Sequence, residues 1–355
     1  MDILTHQKTD FEEIFYEKKD WVATVTINRP HNYNAYSTNC LEELAVAFRQ
    51  AAFDDEVAVI VYTGVGDRAF CTGGDVKEYQ ERYTRSPHDY WKYMRLFGAY
   101  IESIVNTGKP VIARLNGMAV GGGNESQMAC DLAIIAEHAW IGQVGSGVGS
   151  VAAGGATQWL PIFVGDRRAR YILMTNRRIP PYQAEEWGLV NEVVPSVKKG
   201  NKFVEQATPE QIKLAQKGED GYSIDLSKLD EAVDSLAQEL IDKFPECLRY
   251  TKEQTNFWKN FAWHQTIGHA RDWLSIHYTS WEPIEGMSAF VEKRPPNYRM
   301  YDSVRLRVKA ASSCGDPTHK RAHRVNQRES RRNSNIVVLA ALNWMAQKSN
   351  CPPAL

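Results

Sequence analysis

The chain has 355 residues, enough to bury a large core as one big domain or two. Its 42 Lys/Arg and 43 Asp/Glu leave a formal net charge of −1, which gives no overall reason to expect a nucleic acid or an anionic membrane as partner. Six cysteines (Cys40, Cys71, Cys130, Cys247, Cys314 and Cys351) show neither a CxxC pair nor metal-ligand spacing, so no metal is expected.

At the N-terminus there is no charged-then-apolar leader, and the chain reads as a cytoplasmic protein with reduced thiols. Trp21 to Ile27 alternates apolar and polar positions, as a half-buried strand does. Leu41 to Ala52 carries apolar residues at helical spacing. A strand near 57–63 follows, then a helix-like stretch around 88–106 that opens with the start signature Ser86-Pro87-His88-Asp89. A strand at 111–115, a helix after Gly123 and a short apolar run over 132–136 come next. This order predicts an α/β core with crossover connections, and periodicity leaves open a doubly wound sheet or a spiral of ββα turns.

From Lys198 to Ser223 the chain is polar and lysine-rich, and it reads as a surface insertion. Ser227, with Asp230 three residues on, is expected to cap an amphipathic helix running toward Phe244. From Asp302 to Leu355, ten Lys/Arg face three Asp/Glu, so this tail is about +7 and the rest of the chain about −8. Within it Arg321 to Arg332 is a basic run, and Asn335 to Ala346 is apolar but too short to span a membrane. The tail is given no function.

Two glycine stretches carry the chemistry. Gly121-Gly122-Gly123-Asn124-Glu125 joins a strand-like run to a helix-like one. Backbone N–H groups at a helix start are unpaired and attractive to anions, and glycine lets a ligand approach them closely. Glu125 falls in the first turn, beside whatever those groups hold. Ala69-Phe70-Cys71-Thr72-Gly73-Gly74-Asp75 also follows a strand-like run and offers a second set of glycine N–H groups. Cys71 has no His near it in sequence to activate it, and it is expected to be a small buried filler rather than a nucleophile.

At this pair of motifs the chain resembles the crotonase (enoyl-CoA hydratase/isomerase) superfamily. The resemblance continues through Ile141-Gly142-Gln143-Val144-Gly145, Gly154-Gly155-Ala156-Thr157-Gln158 and Glu185-Glu186-Trp187-Gly188-Leu189-Val190, covering roughly residues 10 to 298. It implies a ββα spiral core over 10–195, a polar insertion over 196–226, a C-terminal helical region over 227–300 packing over the site, and a basic tail over 301–355. It further implies an acyl-CoA substrate, with coenzyme A part of that substrate and no separate cofactor, and trimers that pair into hexamers.

By the same resemblance the N–H groups of Gly74 and Gly122 form an oxyanion hole for the thioester oxygen. Ala35 meets the adenine of coenzyme A through its backbone, and Lys293 lies where a C-terminal helix approaches the phosphates. Phe70, Thr72 and Asp75 join the substrate-binding candidates, with Gly145 and Ser150. Glu125 matches one of two glutamates that hydratases of the family use to hold and split water, but the second would fall at Gly145. Gln143-Val144-Gly145 followed by Gly149-Ser150, and Tyr278 eight residues before Gly286, resemble the ring-closing and ring-opening branch. The expectation is a ring-opening hydrolase of a cyclic β-keto acyl-CoA, with Glu125 as base, Gln143 orienting water and Tyr278 donating a proton. A cluster of Tyr83, Tyr90, Trp91, Tyr93 and Phe97 would either wall the cyclic acyl group or pack in the core. The alternatives are an ordinary hydratase or lyase using Glu125 alone, and a non-catalytic binding module.

Overall fold

Val22–Ile27 alternates half-buried and buried positions, with Ala23, Val25 and Ile27 turned inward. It forms β2, paired antiparallel with β1 (Ile14–Lys19) in a six-stranded sheet. The computed structural model describes Lys8 and residues 10–299, so the basic tail lies outside the described residues. The helices and strands belong to one compact unit ending at Asn297.

Helix α1 (Thr38–Phe53) follows, its first turn capped by the Ser37 hydroxyl, which accepts the Cys40 N–H at 3.0 Å. The chain then climbs in repeated turns, each adding a strand to the large sheet, a short strand to a second sheet, and helix. The first such turn has β3 (Val59–Gly64), β4 (Ala69–Cys71), the single turn α2 (Val76–Glu78) and α3 (Pro87–Val105). The second has β5 (Val111–Leu115), β6 (Met118–Val120) and α4 (Gly122–Ala129). The third has β7 (Leu132–Ala136), β8 (Ile141–Gly142), α5 (Ala156–Val164), α6 (Asp166–Thr175), β9 (Arg178–Ile179) and α7 (Pro181–Glu186), before β10 (Glu192–Val194) closes the large sheet. The strand orders are β1-β2-β3-β5-β7-β10 and β4-β6-β8-β9. Of the two architectures that periodicity left open, this is the spiral.

The large sheet is buried on both faces, which is why β3 reads as an unbroken apolar run. Ile60 and Tyr62 face the main core, while Val59 and Val61 face the other way. That second face is covered by α9 (Ser227–Ile241) through Leu229, Val233 and Ala237. Each large aliphatic side chain so removed from water contributes about 1.5–3 kcal/mol.

Between β10 and α9, residues 196–226 contain more order than their polarity suggests. Strands β11 (Val197–Lys199), β12 (Lys202–Phe203) and β13 (Tyr222–Ile224) make a small antiparallel sheet, and α8 (Pro209–Lys217) packs on it around Val197, Ala215 and Tyr222. The start of α9 differs from expectation. Ser227 is its first residue, and the side chain that holds its N–H is Asp225, at 2.9 Å. Asp225 is fixed there because its own N–H donates to the Ser196 carbonyl and its carboxylate takes the Lys198 ammonium.

Helices α10 (Pro245–Thr255), α11 (Phe257–His277) and α12 (Trp281–Val291) complete the unit. Two buried lysines seat them. Lys252 donates to the Ile104 carbonyl at the end of α3, to Thr107, to the Lys109 carbonyl and to Asp131 at 2.8 Å. Lys259 donates to the carbonyls of Ala129 and Cys130 at the end of α4, where a cation complements the helix dipole. Burial pulls the Lys259 ammonium down to about 8. Among the described residues no helix is long and apolar enough to cross a membrane.

Candidate active site

The site is built where two glycine turns meet back to back. Tyr33 and Asn34 take left-handed conformations (φ 51° and 54°), which turns the Asn34 side chain onto the carbonyls of Val65 and Ala69. The chain then pairs with the first glycine turn: the Tyr36 N–H donates to the Gly73 carbonyl at 2.9 Å, and the Asp75 N–H to the Tyr36 carbonyl at 3.0 Å. Gly73 (φ 86°) lies so close to the second turn that an added Cβ would sit 2.8 Å from the Gly122 nitrogen. Gly121 (φ 57°) redirects the chain from β6 into α4, and the Glu125 N–H donates back to its carbonyl.

Neither the Gly74 nor the Gly122 N–H has an acceptor among the described residues, and both glycines line one cleft. Side chains are excluded at both: a Cβ on Gly74 would lie 1.8 Å from the Tyr79 hydroxyl, and one on Gly122 1.7 Å from the Tyr36 hydroxyl. Two unpaired amides facing one cleft, one at a helix start, suit an oxygen that gains negative charge.

Glu125, on the first turn of α4, is 6 % exposed. Its Oε1 accepts the N–H groups of Gly154 (3.0 Å) and Ala156 (3.2 Å), and its Oε2 accepts none among the described residues. Burial raises its pKa to about 7, against the opposing pull of those two amides. That is the range in which one carboxyl both takes and returns a proton near neutrality. Gln143 follows β8 and donates to the Gly121 carbonyl at 3.2 Å, while its Oε1 is buried without a partner. Gly145, where the second glutamate of a hydratase would fall, offers no side chain, and an added Cβ would stand 3.1 Å from the Ser150 carbonyl oxygen.

Tyr278, just past α11, brings its hydroxyl 2.9 Å from that of Ser150 and stacks on Tyr90 with ring centroids 3.8 Å apart. Burial raises its pKa, so it is a protonated donor at neutral pH. Gly74, Gly122, Glu125, Gln143, Gly145, Ser150, Tyr278 and Thr72 thus all border one cleft, with Leu274 and Met287 of the C-terminal helices.

Other candidates lie elsewhere. Phe70 is fully buried against Tyr62, at 5.0 Å between centroids. Asp75 points away from the cleft to hold the Lys77 N–H, Asn32 and Arg29. Ala35 is buried and its carbonyl accepts from Arg29. Lys293 is exposed past the end of α12, outside the cleft, next to Arg294, which is paired with Glu285 and Glu292. In the aromatic cluster, Tyr90, Tyr93 and Phe97 line the cleft, whereas Tyr83 bonds Thr38 and Trp91 reaches Asp272. Cys71 is buried and its thiol is pushed up to about 12, which suits a filler. Two cleft residues that sequence reasoning missed are Tyr36 and Tyr79. No motif marks them; a register prediction for the Tyr36–Gly74 bridge would have found the first.

Comparison with known proteins fits this geometry. Residues 17–234 match the family model "Enoyl-CoA hydratase/isomerase". The chain is 37% identical over 305 residues to the 6-oxocyclohex-1-ene-1-carbonyl-CoA hydrolase of Geobacter metallireducens, covering 80% of each chain. It is 36% identical to the protein of that name from Thauera aromatica, with the same coverage. Among solved structures, an enoyl-CoA hydratase from Bacillus anthracis shares 28% identity at TM-score 0.58, over 81% of this chain and 99% of that one. One from Mycobacterium avium subsp. paratuberculosis, at 24% identity and TM-score 0.66, shares the fold. With the family model spanning most of the spiral and such relatives over four fifths of its length, the chain belongs to the enoyl-CoA hydratase/isomerase (crotonase) family.

Proposed function

We propose that this protein hydrolyses 6-oxocyclohex-1-ene-1-carbonyl-CoA to 3-hydroxypimelyl-CoA. The observation that carries the reading is that Glu125, buried, is the only carboxylate lining the cleft among the described residues, and Gln143 and Gly145 stand where a second acid would. Simple hydration divides its two proton transfers between two groups. A reaction whose leaving group is itself a thioester enolate needs one base and a strong oxyanion site. The names of the relatives support the same substrate.

In this reading water first adds across the ring double bond conjugated with the thioester, Glu125 taking one of its protons while Tyr278 gives one to the α-carbon. The proton on Glu125 then restores Tyr278, leaving a hydroxy-ketone. Glu125 Oε2 removes a proton from a second water, which attacks the ring ketone; Gln143, on the cleft wall beside Gly121, is assigned to orient it. The tetrahedral adduct collapses to a carboxylic acid, which then loses its proton to solvent, and the ring C–C bond breaks with its electron pair passing to the thioester enolate held by Gly74 and Gly122. Tyr278, hydrogen-bonded to Ser150, supplies the proton that quenches the α-carbon and is restored by the proton Glu125 took from water. Each amide donor to such an oxyanion lowers the barrier by about 3–4 kcal/mol. Ala35 and Lys293 are assigned to coenzyme A, contacting its adenine and phosphates.

The assignment places the protein in the cytoplasm, in anaerobic breakdown of aromatic acids through benzoyl-CoA, as a homotrimer or homohexamer. Exposed apolar side chains on the C-terminal helices, Trp258, Ile276 and Phe290 among them, support assembly. The test is mass spectrometry of products from 6-oxocyclohex-1-ene-1-carbonyl-CoA and, separately, crotonyl-CoA. Gain of two waters by the cyclic substrate alone is expected. One water on crotonyl-CoA, with the ring left closed, would replace the assignment with an ordinary hydratase.

A further inference from the structure

We propose that the Tyr36 hydroxyl is a third hydrogen-bond donor to the thioester oxygen, beside the Gly74 and Gly122 amides. The inference rests on the reading that those glycines hold the acyl oxygen. The hydroxyl lies against the Cα of Gly122, so close that a Cβ there would sit 1.7 Å from it. Tyr36 also borders the cleft. Its backbone is held on both sides by the bridge to the first glycine turn, and its ring packs between Phe97 and Tyr100 at centroid distances of 5.9 and 6.1 Å. The side chain is therefore placed by the same turn that presents Gly74.

Three neighbouring tyrosine hydroxyls are already engaged. Tyr62 bonds Tyr100 at 2.6 Å, Tyr79 bonds Tyr93 at 2.5 Å, and Tyr278 bonds Ser150 at 2.9 Å. The Tyr36 hydroxyl has no hydrogen-bond partner among the described residues, and it is not among the polar atoms sealed from the surface. A phenol left unbonded on the wall of an apolar cleft, next to two unbonded amides, is placed to meet an acceptor brought by the ligand. Burial pushes its ionisation far above neutrality, which keeps the proton it would share.

The role separates from packing because Tyr36→Phe keeps the ring. The variant is compared with the wild type in kcat and KM on 6-oxocyclohex-1-ene-1-carbonyl-CoA. Both are also titrated with two probes: acetoacetyl-CoA, an enolisable thioester, and S-butyl-CoA, a thioether with no carbonyl oxygen. A loss of kcat of roughly 10²-fold is expected, as for other oxyanion donors, with KM within a few-fold. Acetoacetyl-CoA should bind about tenfold more weakly and S-butyl-CoA unchanged. A kcat within twofold of wild type, or equal weakening of both probes, would overturn the role. Should the wild type leave the cyclic substrate untouched, the ring-opening function falls while the probe pair still decides on Tyr36. Loss confined to the carbonyl probe upholds the third donor, and any other pattern removes it.

Discussion

The carboxylate of Glu125 accepts the Gly154 N–H at 3.0 Å through one oxygen and leaves the other open to the cleft. A turn between β8 and α5 therefore aims this carboxylate, and backbone amides rather than a charged partner hold it in place. Glu125→Gln keeps the shape and an acceptor for Gly154 but removes the proton traffic. Its kcat should fall by about 10²–10⁴-fold with acyl-CoA affinity nearly intact. Steady-state kinetics paired with calorimetric titration of acetyl-CoA measures both quantities, and near-normal turnover would refute Glu125 as base.

The same carboxyl links stability to pH. Its folded pKa, about 7, lies above the ordinary value of 4.5, so the folded protein holds a proton that the unfolded chain releases. Its contribution is therefore fully present below about 4.5, declines as pH rises, and is gone above about 7. On the order of 3 kcal/mol is involved. Glu125→Gln abolishes this dependence, so the variant should gain on the wild type between pH 5 and pH 8 in urea midpoints. An unchanged difference across that range would mean that the carboxyl is not desolvated.

Glycines in this protein are not equivalent. A Cβ at Gly154 would fall 2.2 Å from the Phe97 ring and 2.9 Å from Glu125 Oε2, whereas one at Gly268, inside α11, meets nothing within 4 Å. Gly154→Ala should cut turnover at least tenfold and shift Glu125 off its amides. Gly268→Ala should raise stability by roughly 0.5–1 kcal/mol with activity unchanged. Thermal melts and activity assays on the two variants make the comparison, and similar behaviour in both would contradict it.

Lys252 tests the seat of the C-terminal helices. Its ammonium is buried with four acceptors, one of them the Asp131 carboxylate at 2.8 Å. Lys252→Met leaves those acceptors buried and unmatched and should destabilise the fold by about 3–5 kcal/mol. Equilibrium denaturation measures it; a loss under 1 kcal/mol would mean that water takes the place of the ammonium.

Much of this was legible beforehand because the informative residues lie next to one another. The two glycine turns, Glu125, Gln143 and the gap at Gly145 are local patterns, and β2, β3, β5 and β7 declare themselves by alternation or by unbroken apolar runs. Residues recruited by tertiary pairing were not legible. Tyr36 reaches the cleft because the chain bridges it to Gly74, and no spacing announces that bridge; Tyr79 reaches it from the helical turn after Asp75, its hydroxyl tied to that of Tyr93. Proximity in sequence also misled: Phe70 and Asp75 flank the first glycine turn, yet strand geometry turns one into the core and capping turns the other outward. The strands of 196–226 are two or three residues long, too short for any period to show.

Helix α4 offers its first amide to the cleft and receives Lys259 at its last carbonyls, and Lys259 stands near the start of the helix that ends beside Tyr278. Eight residues of α4 and twenty-one of α11 span about 12 and 31 Å. The glycine turn at Gly122 and the hydroxyl-bearing Tyr278 are thus surveyed from one benchmark. Slack at that joint would be felt as misalignment at the far end of α11, so a lysine absent from the cleft wall sets the register between the turn at Gly122 and the hydroxyl of Tyr278.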